Sequence, residues 1–250
     1  MPWPRFAFVA TVIAGCALRE ITPPWGGEQV VVQGVLNARA SEQVLWIERT
    51  TPAGDPIAYG LRPLAQPPAR AEVQEEGGGL YRFTPDTGNA ARFVAPFTPV
   101  HGRRYDLVVE AQGAVVRGTT VVPPALTVVD PPADTVSHLR DAALRVSWAP
   151  GTSRDVAVYV TRDTNDVSGY VFPLWVRDDT TAVIPGFSFV GPAPTRLVWV
   201  VATDPVTARA FAFEHRPIGH GGDPILAGNL TGGAGVFGAV TSDRFLVRLQ

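Results

Sequence analysis

The chain has 250 residues, a formal net charge of −2 and a globular composition that is 46% hydrophobic and 18% charged. All 21 basic residues are arginine, so lysine-dependent chemistry such as Schiff-base formation is excluded. The weak net charge offers no broad basic field, and we therefore expect no nucleic-acid partner.

The first element in chain order is an export signal. Arg5 precedes a nine-residue, largely apolar run, Phe6 to Ala14, which is too short to span a bilayer. A charge, an apolar run and then small residues are typical of a secretory signal. Ile13-Ala14-Gly15-Cys16 resembles a bacterial lipobox, which implies a signal peptide over residues 1–15 and a lipid on Cys16. The alternative is an ordinary cleaved signal with a chance cysteine.

The cysteine count favours the lipid. Cys16 is the only cysteine, so no intrachain disulfide can form, and a free thiol is unusual in an exported protein. We predict a mature chain that begins at Cys16, a tether over residues 16–27 and membrane anchorage through the lipid. Ala17 follows the cysteine where a retention signal would have aspartate, which by analogy with other lipoproteins favours the outer membrane.

Short segments with a period of two follow the tether and predict an all-β protein. The 24 prolines and 25 glycines interrupt most windows that are long enough for a helix. Gln112-Gly113 predicts a tight hairpin turn between two strands. The strand candidates are Val30–Leu36, Gln43–Ile47, Leu80–Phe83, Tyr105–Val109, Val115–Val122, Leu144–Trp148, Val156–Thr161, Thr181–Ile184, Leu197–Ala202 and Ala208–Phe213.

Two proline pairs mark a seam in the chain. Pro123-Pro124 and Pro131-Pro132 cannot donate to a sheet ladder. The segment between them, residues 125–130, is either a stiff linker or the first strand of the next domain. Many short strands with regular turn signals favour β-sandwiches. We predict two in tandem, over residues 28–123 and 125–214, followed by a glycine-rich tail over residues 215–250 that packs on the second domain.

The predicted second domain resembles a fibronectin type III module. The resemblance is carried by Leu144–Trp148 as the second strand, Val156–Thr161 as the third and Leu197–Ala202 as a late central strand. It implies a fibronectin III-like sandwich over about 80 residues.

Three further motifs resemble one family. They are Val30–Leu36 shortly after the lipidated cysteine, His101–Val109 with the following Gly118–Pro123, and Asn229–Gly238 near the end. They look like uncharacterised outer-membrane lipoproteins, mostly of Bacteroidetes, that are catalogued as a domain of unknown function. The resemblance implies an immunoglobulin-like or carboxypeptidase-regulatory-like first sandwich. It also implies a TonB-dependent receptor or another envelope protein as partner. No catalytic residue is established for that family, so none is carried over.

The glycine-rich segment Gly233–Gly238 matches the dinucleotide-binding fingerprint letter by letter. That fingerprint requires a strand, a following helix and an acidic residue ~20 positions later, and the remaining chain is too short for them. We predict a tight glycine turn in which Phe237 fills an apolar gap. The structural tail motif comprises Asn229, Gly232, Gly233, Gly235, Phe237 and Gly238.

Each candidate catalytic or metal site lacks part of its motif. His220-Gly221-Gly222 resembles an oxyanion loop, but no nucleophile elbow accompanies it. The histidine and acidic clusters lack zinc or EF-hand spacing, although calcium stays open at the acidic loops, which turn chemistry explains equally well. These clusters contain Asp163, Asn165, Asp166, Asp178, Asp179, His215, His220 and Asp223. We predict no catalytic residues, no metal and no cofactor.

The most suggestive surface is a group of aromatic residues around two predicted strands. Facing outward, they can bind a sugar ring or a partner protein, and facing inward they belong to the core. The residues are Tyr170, Phe172, Trp175, Phe187 and Phe189. The predicted function is a membrane-anchored, non-catalytic binding or accessory module for an outer-membrane receptor or surface complex. The alternatives are a structural or adhesive envelope module, and an enzyme with an unrecognised site.

Overall fold

The computed structural model describes residues 28–50, 62–64, 66–68, 70–151, 153–161, 170–214 and 228–250, without the side chains of residues 170–173 and 211–214. Strands dominate this part of the chain, and its helical elements are one α-helix and one 3₁₀ turn. The predicted all-β sandwich fold is therefore confirmed. Among the same residues, no helix is long and apolar enough to cross a membrane.

The first half of the chain builds two sheets around one hydrophobic core. Its strands are β1 (Val30–Asn37), β2 (Gln43–Arg49), β3 (Arg62–Pro63), β4 (Arg70–Glu75), β5 (Leu80–Arg82), β6 (Thr84–Asp86), β7 (Asn89–Ala95), β8 (Arg104–Ala111) and β9 (Ala114–Val121). One sheet has the order β5-β4-β8-β9, and the other contains β1-β2-β7-β6. Alternating burial along β8 and β9 sends every second side chain into the core. Both Gln112 and Gly113 have positive φ, as a two-residue type I′ turn requires, which confirms the predicted hairpin.

The second half also pairs a small sheet with a larger one. Its strands are β10 (Val128–Asp130), β11 (Thr135–His138), β12 (Leu144–Trp148), β13 (Asp155–Thr161), β14 (Tyr170–Arg177), β15 (Thr181–Ile184), β16 (Thr195–Thr203) and β17 (Ala234–Leu249). The sheet β10-β12-β15 packs on β14-β13-β16-β17 around a second core. Four predicted strands lie in β12, β13, β15 and β16. Because β10 pairs with β12, the end of the 125–130 segment is a strand of the second sandwich.

Residues Pro205–Glu214 form the helix α1, so the strand predicted at Ala208–Phe213 is wrong. Asp204 caps this helix, since its Oδ1 accepts the backbone N–H of Thr207 at 2.8 Å. Pro205 occupies the first helical position, where its fixed φ is favourable and its missing N–H is not needed. The capping residues outweigh the alternating apolar pattern that follows them.

The last strand, β17, belongs to both halves. Its first residues, 234–240, pair in parallel with β1, and its residues 240–248 pair antiparallel with β16. Phe237 lies in the first core and Phe245 in the second, and their even spacing puts both side chains on one face of the strand. The two larger sheets thus form one ten-stranded sheet. The described part of the tail joins both halves, instead of packing on the second alone, while the predicted domain boundaries stay a prediction.

A buried hydrogen bond also joins the halves beside α1. The Thr120 hydroxyl in β9 donates to Oδ2 of Asp204 at 2.7 Å, and both side chains are buried. The backbone N–H of Asp204 donates to the carbonyl of Ala239 in β17 at 3.0 Å. Thr207 accepts the N–H of Ala239 on its Oγ1 at 3.1 Å. Asp204 therefore connects β9, α1 and β17.

We expect Asp204→Ala to lower the free energy of unfolding by about 2–4 kcal/mol, because it removes a helix cap and leaves two buried donors unpaired. Thr120→Val, which removes only the bond between the halves, should cost about 1–3 kcal/mol. Thr119→Val is the matched control, since its exposed bond to Asp106 is worth at most about 1 kcal/mol. Urea denaturation of the full chain measures all three. Equal effects at positions 119 and 120 would contradict this role of Asp204.

Candidate functional site

The five aromatic residues of the predicted binding surface lie in different environments. Tyr170 and Phe172 belong to β14, but their side chains are outside the described part of the chain. Trp175 in β14 is half-buried, and Phe187 is exposed. Phe189 is fully buried in the second core. Its assignment to the binding surface is therefore wrong, because a ring enclosed between two sheets is closed to solvent.

Phe187 is part of another exposed group, which we call the apolar tip. The apolar tip consists of Leu139, Phe187 and Val190, which are exposed by 63%, 71% and 58%. Leu139 comes from the loop before β12, and the other two come from the loop before β16. At Gly186, a Cβ would lie 1.9 Å from the carbonyl oxygen of Asp141, so the two loops pack backbone against backbone. The two loops that carry the exposed side chains of the tip are therefore in direct contact.

Arginine side chains fix the loop that carries Phe187 and Val190. Arg196 is 2% exposed, and its guanidinium donates to two carbonyl oxygens of this loop and to that of the first residue of β16. The acceptors are Val190 at 3.2 Å, Ala193 at 3.1 Å and Thr195 at 3.1 Å. Arg140, from the other loop, donates to the carbonyl of Gly191. Charge-assisted hydrogen bonds of this kind are stronger than neutral ones, so the loop is held in one conformation.

The surroundings of the apolar tip are basic. Arg140 is in the same loop as Leu139, Arg145 lies opposite the exposed Val183 in the ladder between β12 and β15, and Arg248 is near the end of β17. None of these three arginines forms an ion pair with another described residue. Asp141 is the one acidic residue in the two loops. The charge around the tip is therefore positive.

The apolar tip and the beginning of β1 lie at opposite ends of β17. Val31 pairs with Ala234, the first residue of β17. At the other end, Leu249 donates its backbone N–H to the carbonyl of Pro194, in the loop of the tip, at 2.8 Å. The 16 residues of β17 span roughly 50 Å at ~3.3 Å per residue. A partner on the tip is thus far from the point where the described chain starts.

A second aromatic group, absent from the predicted surface, lies on the face of the large sheet that points away from the second core. Tyr159 of β13 pairs with Trp199 of β16, which in turn pairs with Arg244 of β17. The Arg244 guanidinium lies 5.0 Å from the Trp199 ring centre, at a cation–π distance. Both aromatic residues alternate with buried valines, and this alternation was the signal available in the sequence. Both are half-buried, so they expose less apolar surface than the tip does.

The residues of the tail motif have structural roles, in backbone hydrogen bonds and in close packing. Asn229 accepts the N–H of Phe237 at 3.0 Å and donates to the carbonyls of Phe237 and Thr119 at 2.8 and 2.9 Å. Gly235 has a φ of 110°, and a Cβ there would lie 2.0 Å from the carbonyl oxygen of Val32. The other crowded glycines of the motif are Gly232, Gly233 and Gly238. These residues thus hold β17 against its neighbours. The predicted tight glycine turn is wrong, because residues 234–238 are extended and paired with β1, although Phe237 does fill the first core.

The buried acidic residues of the first sandwich have structural partners. The Arg70 guanidinium is hydrogen-bonded to buried Glu72 and holds the pKa of that carboxyl below its usual range, with Arg82 adding to the effect. Glu75 accepts the hydroxyl of Tyr81 at 3.0 Å. Burial, more than this bond, raises the pKa of Tyr81, and burial also raises the pKa of Tyr105. These described ionisable groups are therefore bonded to neighbouring side chains of the first sandwich.

Several predicted alternatives concern residues beyond the described ranges. These residues are Asp163, Asn165, Asp166, His215, His220 and Asp223. Within the described ranges, no group of three or more histidine, cysteine or acidic side chains could hold a metal ion. Asp178, from the other acidic loop, is paired with Arg154 at 2.7 Å. A depression of about 520 Å³ beside the β8–β9 hairpin contains Glu110, which is 3.3 Å from Arg70.

Comparison with known proteins identifies an uncharacterised family. A family model described as a domain of unknown function (DUF4249) matches residues 20–185, more than half of the chain. No curated protein matches the sequence. The matched region ends directly after β15, so β16, α1 and β17 lie outside it although they complete the second sandwich. The prediction of an uncharacterised domain family is thereby confirmed.

Proposed function

The chain belongs to the DUF4249 family, and we propose that this member is an outer-membrane lipoprotein that acts as a non-catalytic binding or accessory module. Its partner is an outer-membrane receptor or surface complex, and a TonB-dependent receptor is the class that the resemblance to Bacteroidetes lipoproteins suggests. The observation that carries the binding role is the apolar tip. Apolar side chains exposed together on rigid loops are typical of interaction sites.

The sequence supports the anchor. The lipobox-like Ile13-Ala14-Gly15-Cys16 supplies the lipidated cysteine, and the following tether of 12 residues reaches at most roughly 40 Å at ~3.5 Å per residue. A lipid on Cys16 keeps the first sandwich near the membrane. The apolar tip, at the other end of β17, then faces away from it.

The strand order of the second sandwich supports a fibronectin type III-like assignment. When β11, which pairs with β17, is left aside, the first, second and fifth strands, β10, β12 and β15, form one sheet, and β14-β13-β16-β17 form the other. Modules with this architecture serve many functions, so the proposed role depends on the tip and not on the fold. The buried acidic side chains of the described residues, Glu72, Glu75 and Asp204, support a non-catalytic role, because they bond to arginine, tyrosine, threonine or backbone groups.

We expect Cys16→Ser to move the protein from the membrane fraction to the soluble fraction, because the variant has no thiol to carry the lipid. Fractionation of cells, together with labelling by a radioactive fatty acid, measures the loss of both membrane association and label. Ala17→Asp is the matched control: it keeps the cysteine and its lipid, and it should shift the protein to the inner membrane. Undiminished lipid labelling of the Cys16→Ser protein would contradict the anchor.

A further inference from the structure

We infer that the apolar tip docks into an apolar recess with a carboxylate rim on an envelope protein, and that β17 holds it roughly 50 Å from the membrane-proximal end. This inference rests on the proposed function, because the lipid on Cys16 determines which end faces the membrane. It adds the docking residues, the chemistry of the partner and the orientation of the complex.

The apolar tip has a fixed conformation in the absence of a partner. Phe187 exposes 71% of its surface, although the neighbouring Phe189 is fully buried. Arg140 and the buried Arg196 donate hydrogen bonds to carbonyl groups of the loop that carries Phe187, and these bonds fix the loop. Little conformational entropy is therefore left to lose when the tip docks. A fixed, exposed aromatic side chain is the usual centre of a binding hot spot, where it fills a pocket on the partner.

The charge around the tip indicates the chemistry of the partner. Arg140 is in the loop of Leu139, Arg145 lies at the start of β12 and Arg248 near the end of β17, and none of them forms an ion pair with another described residue. Complementary charges at the rim of an interface steer the encounter and select the partner. A recess flanked by aspartate or glutamate side chains fits this arrangement.

Two other occupants fit less well. The lipid is attached near the opposite end of β17, roughly 50 Å from the tip, so a chain that stands on its anchor holds the tip away from the anchoring membrane. A second copy of the chain, related by a two-fold axis, would place the three arginines of one tip against those of the other. Like charges that meet in an interface are unfavourable, so self-association through the tip is disfavoured.

Photo-crosslinking in the native envelope tests the docking. A benzophenone amino acid replaces Phe187 in the full chain and, as a control, Val115, which is 42% exposed and lies beside the opposite end of β17. We expect one discrete adduct with an envelope protein from position 187 and none from position 115. Mass spectrometry should place the crosslink on the partner in an apolar recess flanked by acidic side chains.

The affinity of that purified partner for the mature chain and its variants then measures how much each tip residue contributes to binding. Phe187→Ser should weaken binding at least ten-fold, and Leu139→Ser should weaken it in the same direction. Val115→Ser should change it less than two-fold. Arg145→Glu with Arg248→Glu should weaken binding most at low salt. Because these side chains are exposed, the variants should keep their fold, as circular dichroism can verify.

Besides the absence of an adduct, three outcomes overturn the docking inference. They are an adduct at position 115 but not at 187, Phe187-dependent binding of the Cys16→Ser protein to phosphatidylethanolamine–phosphatidylglycerol vesicles, and Phe187-dependent dimerisation in sedimentation. A protein that stays lipid-anchored but forms no adduct at position 187 refutes the docking and leaves the anchor intact. A chain that is not lipidated refutes the proposed anchor instead.

Discussion

A chain that ends at residue 185, where the family match ends, should not fold. It lacks β16 and β17, so β13 keeps only β14 as a neighbour and β1 loses one of its two. Both hydrophobic cores lose side chains that are fully or almost fully buried. The missing core residues are Phe189, Val198, Val200, Ala202, Phe237, Ala239, Phe245 and Val247.

The size of the loss decides the outcome. Full burial of a valine or phenylalanine side chain contributes about 1.5–3 kcal/mol. Six of the missing residues are of these two types, so the truncated chain forfeits about 9–18 kcal/mol. A natural domain is stable by only about 5–15 kcal/mol in total. The loss is therefore comparable with the whole stability or exceeds it.

Circular dichroism and limited proteolysis of the truncated chain check this expectation. A chain that ends at residue 214 is the informative control, because it keeps β16 and α1 but still lacks Phe237 and Phe245. It should be unstable as well. A cooperative thermal transition of the 185-residue chain would show that the family match delimits an independent folding unit, contrary to what the pairing of β17 implies.

Local signals in the sequence predicted much of this fold. The strands β12 and β13 follow from alternating side chains, and the β8–β9 turn follows from Gln112-Gly113, because these features depend on neighbouring residues alone. The apolar alternation of residues 208–213 predicts a strand where the structure has the helix α1. Asp204 and Pro205 are good helix start signals, and this cap determines the local structure.

The remaining features depend on contacts between distant parts of the chain. Val31 pairs with Ala234, about 200 positions later, and no local pattern specifies such a partner. The sequence marks Phe187 and Phe189 equally as aromatic residues of one loop. Only the packing of that loop on the second core buries Phe189 and leaves Phe187 exposed beside Leu139. The apolar tip therefore depends on tertiary contacts, which local sequence patterns do not specify.

We expect Phe237→Ala to lower the free energy of unfolding by about 3–5 kcal/mol, the usual cost of removing a buried phenylalanine from a core. Phe237 is fully buried in the first core, and its backbone N–H is bonded to Asn229. Its neighbours on β17 pair with β1 on one side, and the later residues of the same strand pair with β16. The lost packing should therefore weaken the second sandwich as well as the first.

Hydrogen exchange followed by mass spectrometry can distinguish a local effect from a coupled one. If the halves unfold together through β17, Phe237→Ala should accelerate amide exchange in β13 and β16 of the second half as much as in β1. Phe245→Ala, in the second core, should conversely accelerate exchange in β1 and β2. Thr119→Val, at an exposed site, should change neither half.

Two separate transitions, of which Phe237→Ala moves only the first, would show that the halves fold independently. In that case β17 would be two adjacent strands that happen to be continuous in sequence. The arrangement of buried groups argues for coupling. Thr120 of the first half and Asp204 of the second share a hydrogen bond that is closed to water, and separation of the halves breaks this bond. Opening either half therefore breaks the hydrophobic packing along β17 and this polar contact at once, which favours a single cooperative transition.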